Sequence, residues 1–169
     1  ICSIEQSFAE KVGIALEVSF AAKCGTFRAV LLSRGGSVIW SVETSQQIKR
    51  ARKGGLIVEI HGRSLVASGA TLVLAAGSPG KRFIVHNSVI LIHGVQRSGG
   101  FLEPPTCVDF RTLPAKDDEE SIVLRRVLTL IISELADSVS RPFSVVEQWF
   151  RCGKEQAGPG SLLVNLGIA

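Results

Sequence analysis

The stretch LVASGATLVLAAGSPGKR, residues 65–82, decides how the rest of the chain is read. Most of it is apolar, as in the inside of a buried element. Ser68 and Gly69 interrupt that character near its start. Glycine in a helix interior costs about 1 kcal/mol relative to alanine, so the helix should begin here rather than continue through. Serine is a favoured N-cap, because its hydroxyl accepts a backbone N–H. The pattern therefore predicts a buried helix over residues 68–76, stopped by Gly77. Ser68 then has two readings. It caps the helix, or it is a nucleophile, and a nucleophile needs a base within reach.

Working outward, strands alternate with helices. FRAVLLS (27–33) reads as a strand that ends in the glycine turn RGGS. VIWSVETSQQIKRA (38–51) has helical spacing and is stopped by Gly54 and Gly55. LIVEIHG (56–62) is the next strand, and RFIVHN and VILIHG (89–94) are two more. Upstream, residues 8–23 carry apolar positions at helical intervals. Such alternation implies βαβ units and a largely parallel sheet, whose strands are apolar because both faces are covered. Residues 98–114 are rich in Gly and Pro and read as loop or edge strand. Residues 115–140 hold the longest helix signal, with acidic DDEE in its first turn, basic residues later and Pro142 beyond its end. FSVVEQWFRCG and SLLVNLGIA add one more helix and a closing apolar segment. No repeat or linker divides the chain, so residues 1–169 are read as one domain.

Composition narrows the classes. The chain has 169 residues, 46% of them hydrophobic, and a net charge of +4; its mean hydropathy is +0.31. That suits a well-filled core and excludes a disordered chain. No apolar run reaches the ~18 residues of a membrane span, and no signal peptide pattern is visible. The one dense basic cluster, KRARK at 49–53, closes a helix and reads as a solvated helix end favoured by the helix dipole. No nucleic-acid partner is expected from so mild a charge. The cysteines, Cys2, Cys24, Cys107 and Cys152, form no CxxC pair. They are read as buried free thiols, and no metal site or cofactor is expected.

Chemistry concentrates where glycines join a strand to a helix: Gly35-Gly36 and Ser68-Gly69. Unpaired amides at a helix start point outward and can hold negative charge. No phosphate-binding glycine motif is present. Of the three histidines, His93 ends an apolar strand beside a glycine-rich loop and is the plausible base. His61 ends a strand and can cap it toward solvent. His86 sits in a turn and looks structural.

These residues resemble the proteolytic subunit of the Clp protease, ClpP. The match is most specific in ASGATLVLAAGSPGKRFIVHNSVILIHG (67–94), where Ser68, Ala75-Ala76-Gly77, Gly80-Lys81-Arg82, Phe83, Asn87-Ser88 and Ile92-His93 follow the family pattern without a gap. LLSRGGSV (31–38) looks like the family's glycine turn, and GGFLEPP falls at its substrate-facing strand. The resemblance implies an α/β fold of repeated ββα units, of the ClpP/crotonase type, with a largely parallel sheet and a protruding handle over about 95–140. It implies a serine endopeptidase with Ser68 as nucleophile and His93 as general base. Gly36 and Gly69 would form the oxyanion hole, and Gly35, Gly100 and Phe101 would border an extended peptide. A peptide or unfolded-protein substrate and a homo-oligomer, a ring or smaller, are implied too. The compartment is cytoplasmic by family default, with export as the other option.

Three departures qualify the resemblance. The family's third triad member is an Asp after the handle helix; here its place falls near Gly153, with no Asp at hand. Glu155 or Glu147 could stand in, with Asp109 and Asp137 more remote, or the site lacks a third member. Arg34 replaces a proline in the glycine turn, and Gly69 replaces a larger residue, which should loosen the backbone after the serine. The loop from 95 to 116 is long, and no N-terminal segment of the kind that docks an ATPase is evident. The alternatives are a catalytically impaired structural subunit of a protease assembly and an acyl-CoA enzyme of the crotonase type.

Overall fold

A computed structural model describes residues 2–97, 106–113, 119–153 and 155–169. A short strand, β1 (Cys2–Ile4), leads into helix α1 (Gln6–Ala21). Then come β2 (Thr26–Gly36), α2 (Val38–Lys53), β3 (Ile57–Ala67) and α3 (Gly69–Ala76). Strands β4 (Arg82–Ile84), β5 (Val89–Ile92), β6 (Val95–Arg97) and β7 (Thr106–Val108) precede the long helix α4 (Glu119–Val139). Helix α5 (Phe143–Glu147), a 3-10 turn (Gln148–Phe150), β8 (Gln156–Pro159) and α6 (Ser161–Leu166) close the chain.

The main sheet runs β1-β2-β3-β5-β8, with β4 also paired to β3. All its pairings are parallel except β5 with β8. This is the mixed α/β architecture that the alternating pattern implied. Helix α3 lies at its centre: every residue from Ala70 to Ala76 is buried. Full burial of Leu72, Val73 and Leu74 contributes about 1.5–3 kcal/mol each. Helix α4 packs through Leu128, Ile131, Ile132, Leu135, Ala136 and Val139, the i, i+3, i+4 stripe its sequence shows.

Two strands are longer than their sequences suggest. Residues 34–36 belong to β2 instead of forming a turn after it, because β1 pairs along them, with Ile4 opposite Gly36. Leu65–Ala67, read from sequence as part of the apolar run leading into the helix, are the end of β3, where they pair with Val89, Ile90 and Leu91. His61 is accordingly mid-strand, bonded to Glu59 and stacked on Phe83. Strand β8 escaped the sequence reading because its Gly and Pro resemble a loop; as an edge strand it tolerates both.

The basic cluster 49–53 is a solvated helix end only at Arg50 and Lys53, which are exposed. Lys49 reaches Glu134 of α4 at 2.6 Å, with both side chains mostly covered. Ser45 and Gln46 donate to the same carboxylate. Arg52 donates to the Ala76 carbonyl, at the negative end of the α3 dipole. Arg50 pairs with Glu43. Lys49 and Arg52 therefore dock α2 onto α4 and α3.

The cysteine expectation is also corrected. Cys107 of β7 and Cys152 form a disulfide, with Cα atoms 5.8 Å apart, and the free Cys2 and Cys24 are exposed rather than buried. The bridge closes a loop across a sequence separation of 45. A Cys107→Ser/Cys152→Ser double variant should therefore unfold about 2–4 kcal/mol more easily in urea. Wild-type protein in excess reductant should match it.

Candidate active site

The parallel strands β2, β3 and β5 end on one side of the sheet, the edge at which α/β folds place their sites. A cavity of about 340 Å³ opens there. Ser68, His93, Gly36 and Gly69 all lie on its wall. The chain thus brings together four of the residues that its sequence singled out. Gly100 and Phe101 lie outside the described residues.

Ser68 stands in the turn between β3 and α3 with φ 54° and ψ −129°. A non-glycine residue at positive φ is uncommon and costs of order 1–3 kcal/mol. Its N–H is tied to the Leu91 carbonyl at 2.7 Å, and its carbonyl accepts from the Thr71 amide and hydroxyl. Its own hydroxyl makes no cap bond. The N-cap reading is therefore set aside: the backbone is held on both sides while the hydroxyl is left to the cavity. A sharp, strained strand-to-helix turn is how α/β-hydrolases expose a nucleophilic serine.

Two glycines make that turn sterically feasible. A Cβ on Gly35, where φ is +93°, would lie 2.6 Å from the Ser68 Cβ and 2.7 Å from the Ala67 carbonyl. Gly35 thus packs directly behind the serine. A Cβ on Gly69 would collide with the Ser41 side chain of α2. Ser41 is fully buried and donates to the Ser37 carbonyl. The glycine after Ser68 is thus closely packed, not loose as its sequence suggested. The larger residue expected there has no room, because α2 fills it. Gly69 is also the first residue of α3, where amides lack intrahelical partners.

His93 is half-buried, and its Nδ1 lies 2.6 Å from the Gly94 carbonyl. A carbonyl only accepts, so Nδ1 carries the proton and Nε2 keeps its lone pair. Gly94 has no space for a side chain: a Cβ would meet the Cys107 Sγ and the Phe150 carbonyl, each at 2.7 Å. The disulfide therefore packs directly behind the histidine's segment. Its neighbour Phe150, with Leu72 and Ile131, gives the cavity an apolar wall. Nothing local in the sequence marked those three residues, which converge from separate elements.

The carboxylates sort themselves. β5 and β8 are antiparallel, with Leu91 opposite Ala157 and Ile92 opposite Gln156. Beyond the paired residues, one more step in that register would bring Glu155 opposite His93. Cβ atoms of directly opposed residues lie about 4.5–5.5 Å apart. The Glu155 carboxyl is held below its usual range by its own amide, then by the Gly153 amide at 3.1 Å, with the His93 charge adding to this against desolvation. Gly153 is thus the turn that seats Glu155. Glu147 pairs with Arg151, and Asp137 is exposed on α4.

Asp109 is buried and fully engaged. It accepts from the amides of Arg111, Thr112 and Cys152 and from the Arg111 guanidinium, at 2.7–2.9 Å. Burial pushes its carboxyl up, but the Arg111 side chain and the three amides outweigh this and lower its pKa from 3.8 to about 2. It clamps the turn that leads to Glu155.

The α/β fold thus sets a half-buried turn serine and a strand-end histidine on the wall of one cavity. The family model for the Clp protease matches residues 18–108. That is more than half of the chain, so it belongs to the Clp protease family, whose members are generally serine peptidases. No curated protein matches the chain significantly.

The Asp109 clamp has a measurable signature. Because its pKa falls on folding, its contribution is fully present above about pH 4 and is lost as the pH drops through about 2. Asp109→Asn should cost about 2 kcal/mol at pH 7 in urea unfolding. The difference from wild type should shrink steadily between pH 4 and 2.

Proposed function

We propose that the chain is a serine endopeptidase of the Clp type. Ser68 Oγ attacks the scissile carbonyl carbon while His93 Nε2 takes its proton. The Gly36 and Gly69 amides hold the resulting oxyanion. Collapse breaks the C–N bond, and the imidazolium returns the proton to the leaving amine. Water, deprotonated by the same nitrogen, then releases the acyl group as a carboxylic acid. Gly94 fixes the imidazole tautomer. Glu155 supplies the negative charge that stabilises the imidazolium, the task of the third triad residue. One observation carries this reading: an uncapped serine at positive φ shares a cavity wall with a histidine whose Nδ1 is bound to a carbonyl.

A second reading, a subunit that does not itself cleave peptides, is favoured by one fact. Among the described residues, the Ser68 hydroxyl makes no hydrogen bond to His93. Catalytic hydrogen bonds are often long before substrate binds, so the chemistry must decide. A fluorophosphonate probe should label the protein and fail on Ser68→Ala. His93→Ala should lower kcat on an unstructured peptide by at least ~10³-fold, and Glu155→Gln by about 10²-fold with KM little changed. A folded protein that resists the probe would establish the non-cleaving reading instead.

We also propose that it acts as a homo-oligomer. Ile122, Val123 and Leu130 of α4 and Ile39 of α2 are exposed apolar residues. Light scattering at micromolar concentration should give a multiple of 18.1 kDa; a monomer would contradict the proposal.

A further inference from the structure

The cavity holds a charge that the peptidase reading does not use. Arg34, on β2, lines it together with Ser68 and Gly36. Among the described residues no carboxylate lies within ion-pair range of its guanidinium, and no hydrogen bond engages it. The other side chains on this wall include no Asp, Glu, Lys or Arg. Glu5, on the segment that pairs with this end of β2, accepts from the Ser3 hydroxyl at 2.8 Å.

The backbone under Arg34 is rigid. Ser33 is fully buried, and its hydroxyl donates to the Cys2 carbonyl at 2.9 Å and accepts from the Gly35 amide at 3.0 Å. Gly36, beyond, lies against the Ile4 backbone, where a Cβ would come within 2.5 Å. The backbone that carries this exposed cation is therefore fixed, two residues from the amide assigned to the oxyanion. The far wall is apolar. A guanidinium suits a carboxylate because it can donate two parallel N–H bonds.

We propose that Arg34 is a specificity-determining residue that selects peptides presenting a carboxylate next to the scissile bond, with an apolar side chain against Leu72, Ile131 and Phe150. The carboxylate comes from an Asp or Glu side chain or from the peptide's own C-terminus. This rests on the peptidase reading for the reaction, but not for binding.

The test uses the full chain carrying Ser68→Ala, which binds without turnover. Fluorescein-labelled peptides of one sequence are compared by anisotropy, with Glu or Gln beside the target bond and with a free or amidated C-terminus. The Glu peptide, the free-acid peptide or both should bind about three- to tenfold tighter than the neutral one, and the gain should shrink with added salt. Arg34→Gln should abolish that gain while leaving the neutral peptide's Kd unchanged, and Arg34→Lys should keep part of it. Which peptide gains identifies the source of the carboxylate. No preference, or one that survives Arg34→Gln, overturns the proposal, as does an equal loss for all peptides. Wild-type cleavage of the neutral peptide without acidic preference would sink Arg34 alone. Arg34-dependent binding without cleavage or probe labelling would sink the peptidase reading alone.

Discussion

Three backbone segments meet around Ser68 with almost no space between them, and the site depends on that contact. The end of β2 lies against the serine because residue 35 has no side chain. Helix α2 reaches the same turn because residue 69 has none, and Ser41 takes the volume. The turn itself holds a strained φ of 54°. Strain of this kind persists only when its surroundings over-determine it. Here the fully buried α3 and the bond from Ser68 N–H to Leu91 do so. The result is a serine at the head of a helix, on the same cavity wall as that helix's first residue, Gly69.

The opposite wall is held by different means. His93 follows a short strand, and its position depends on what packs behind it. The disulfide, Gly94 and the 3-10 turn at Gln148–Phe150 form one packed unit. Asp109 ties that unit to β7 through the Cys152 amide. The acidic residues have thus divided their work. The buried aspartate is consumed by structure, since four donors leave it nothing to offer a histidine. The exposed Glu155, seated by Gly153, is the one whose charge is felt at the imidazole.

Much of this was legible along the chain. Periodicity located α2, α3 and α4 to within a few residues, because each buries a helical stripe or an entire short helix. The apolar strands betrayed a parallel sheet because both of their faces are covered. Ser68 and His93 stood out by residue type at element ends. What the pattern missed had physical reasons. Residues 34–36 look like a turn, and only their pairing with β1 keeps them extended. Strand β8 has the composition of a loop. Lys49 and Arg52 sit at a helix end, where cations usually face water, yet each finds a buried partner on another helix. Cysteine spacing carries no information about pairing, so the bridge across β7 was invisible.

The sequence by itself determined most of the elements and singled out Ser68 and His93, because helix and strand periods, caps and glycines act over a few positions. It also narrowed the acidic candidates near residue 153 without choosing among them. Only the tertiary structure brings the segment of Glu155 beside that of His93, because antiparallel register is a relation between strands more than sixty residues apart in order. The same holds for Arg34. In sequence it is an odd residue in a glycine stretch; folded, it is the unpaired charge on the wall that holds Ser68. Local rules cannot place either residue, since each is defined by what distant segments bring beside it.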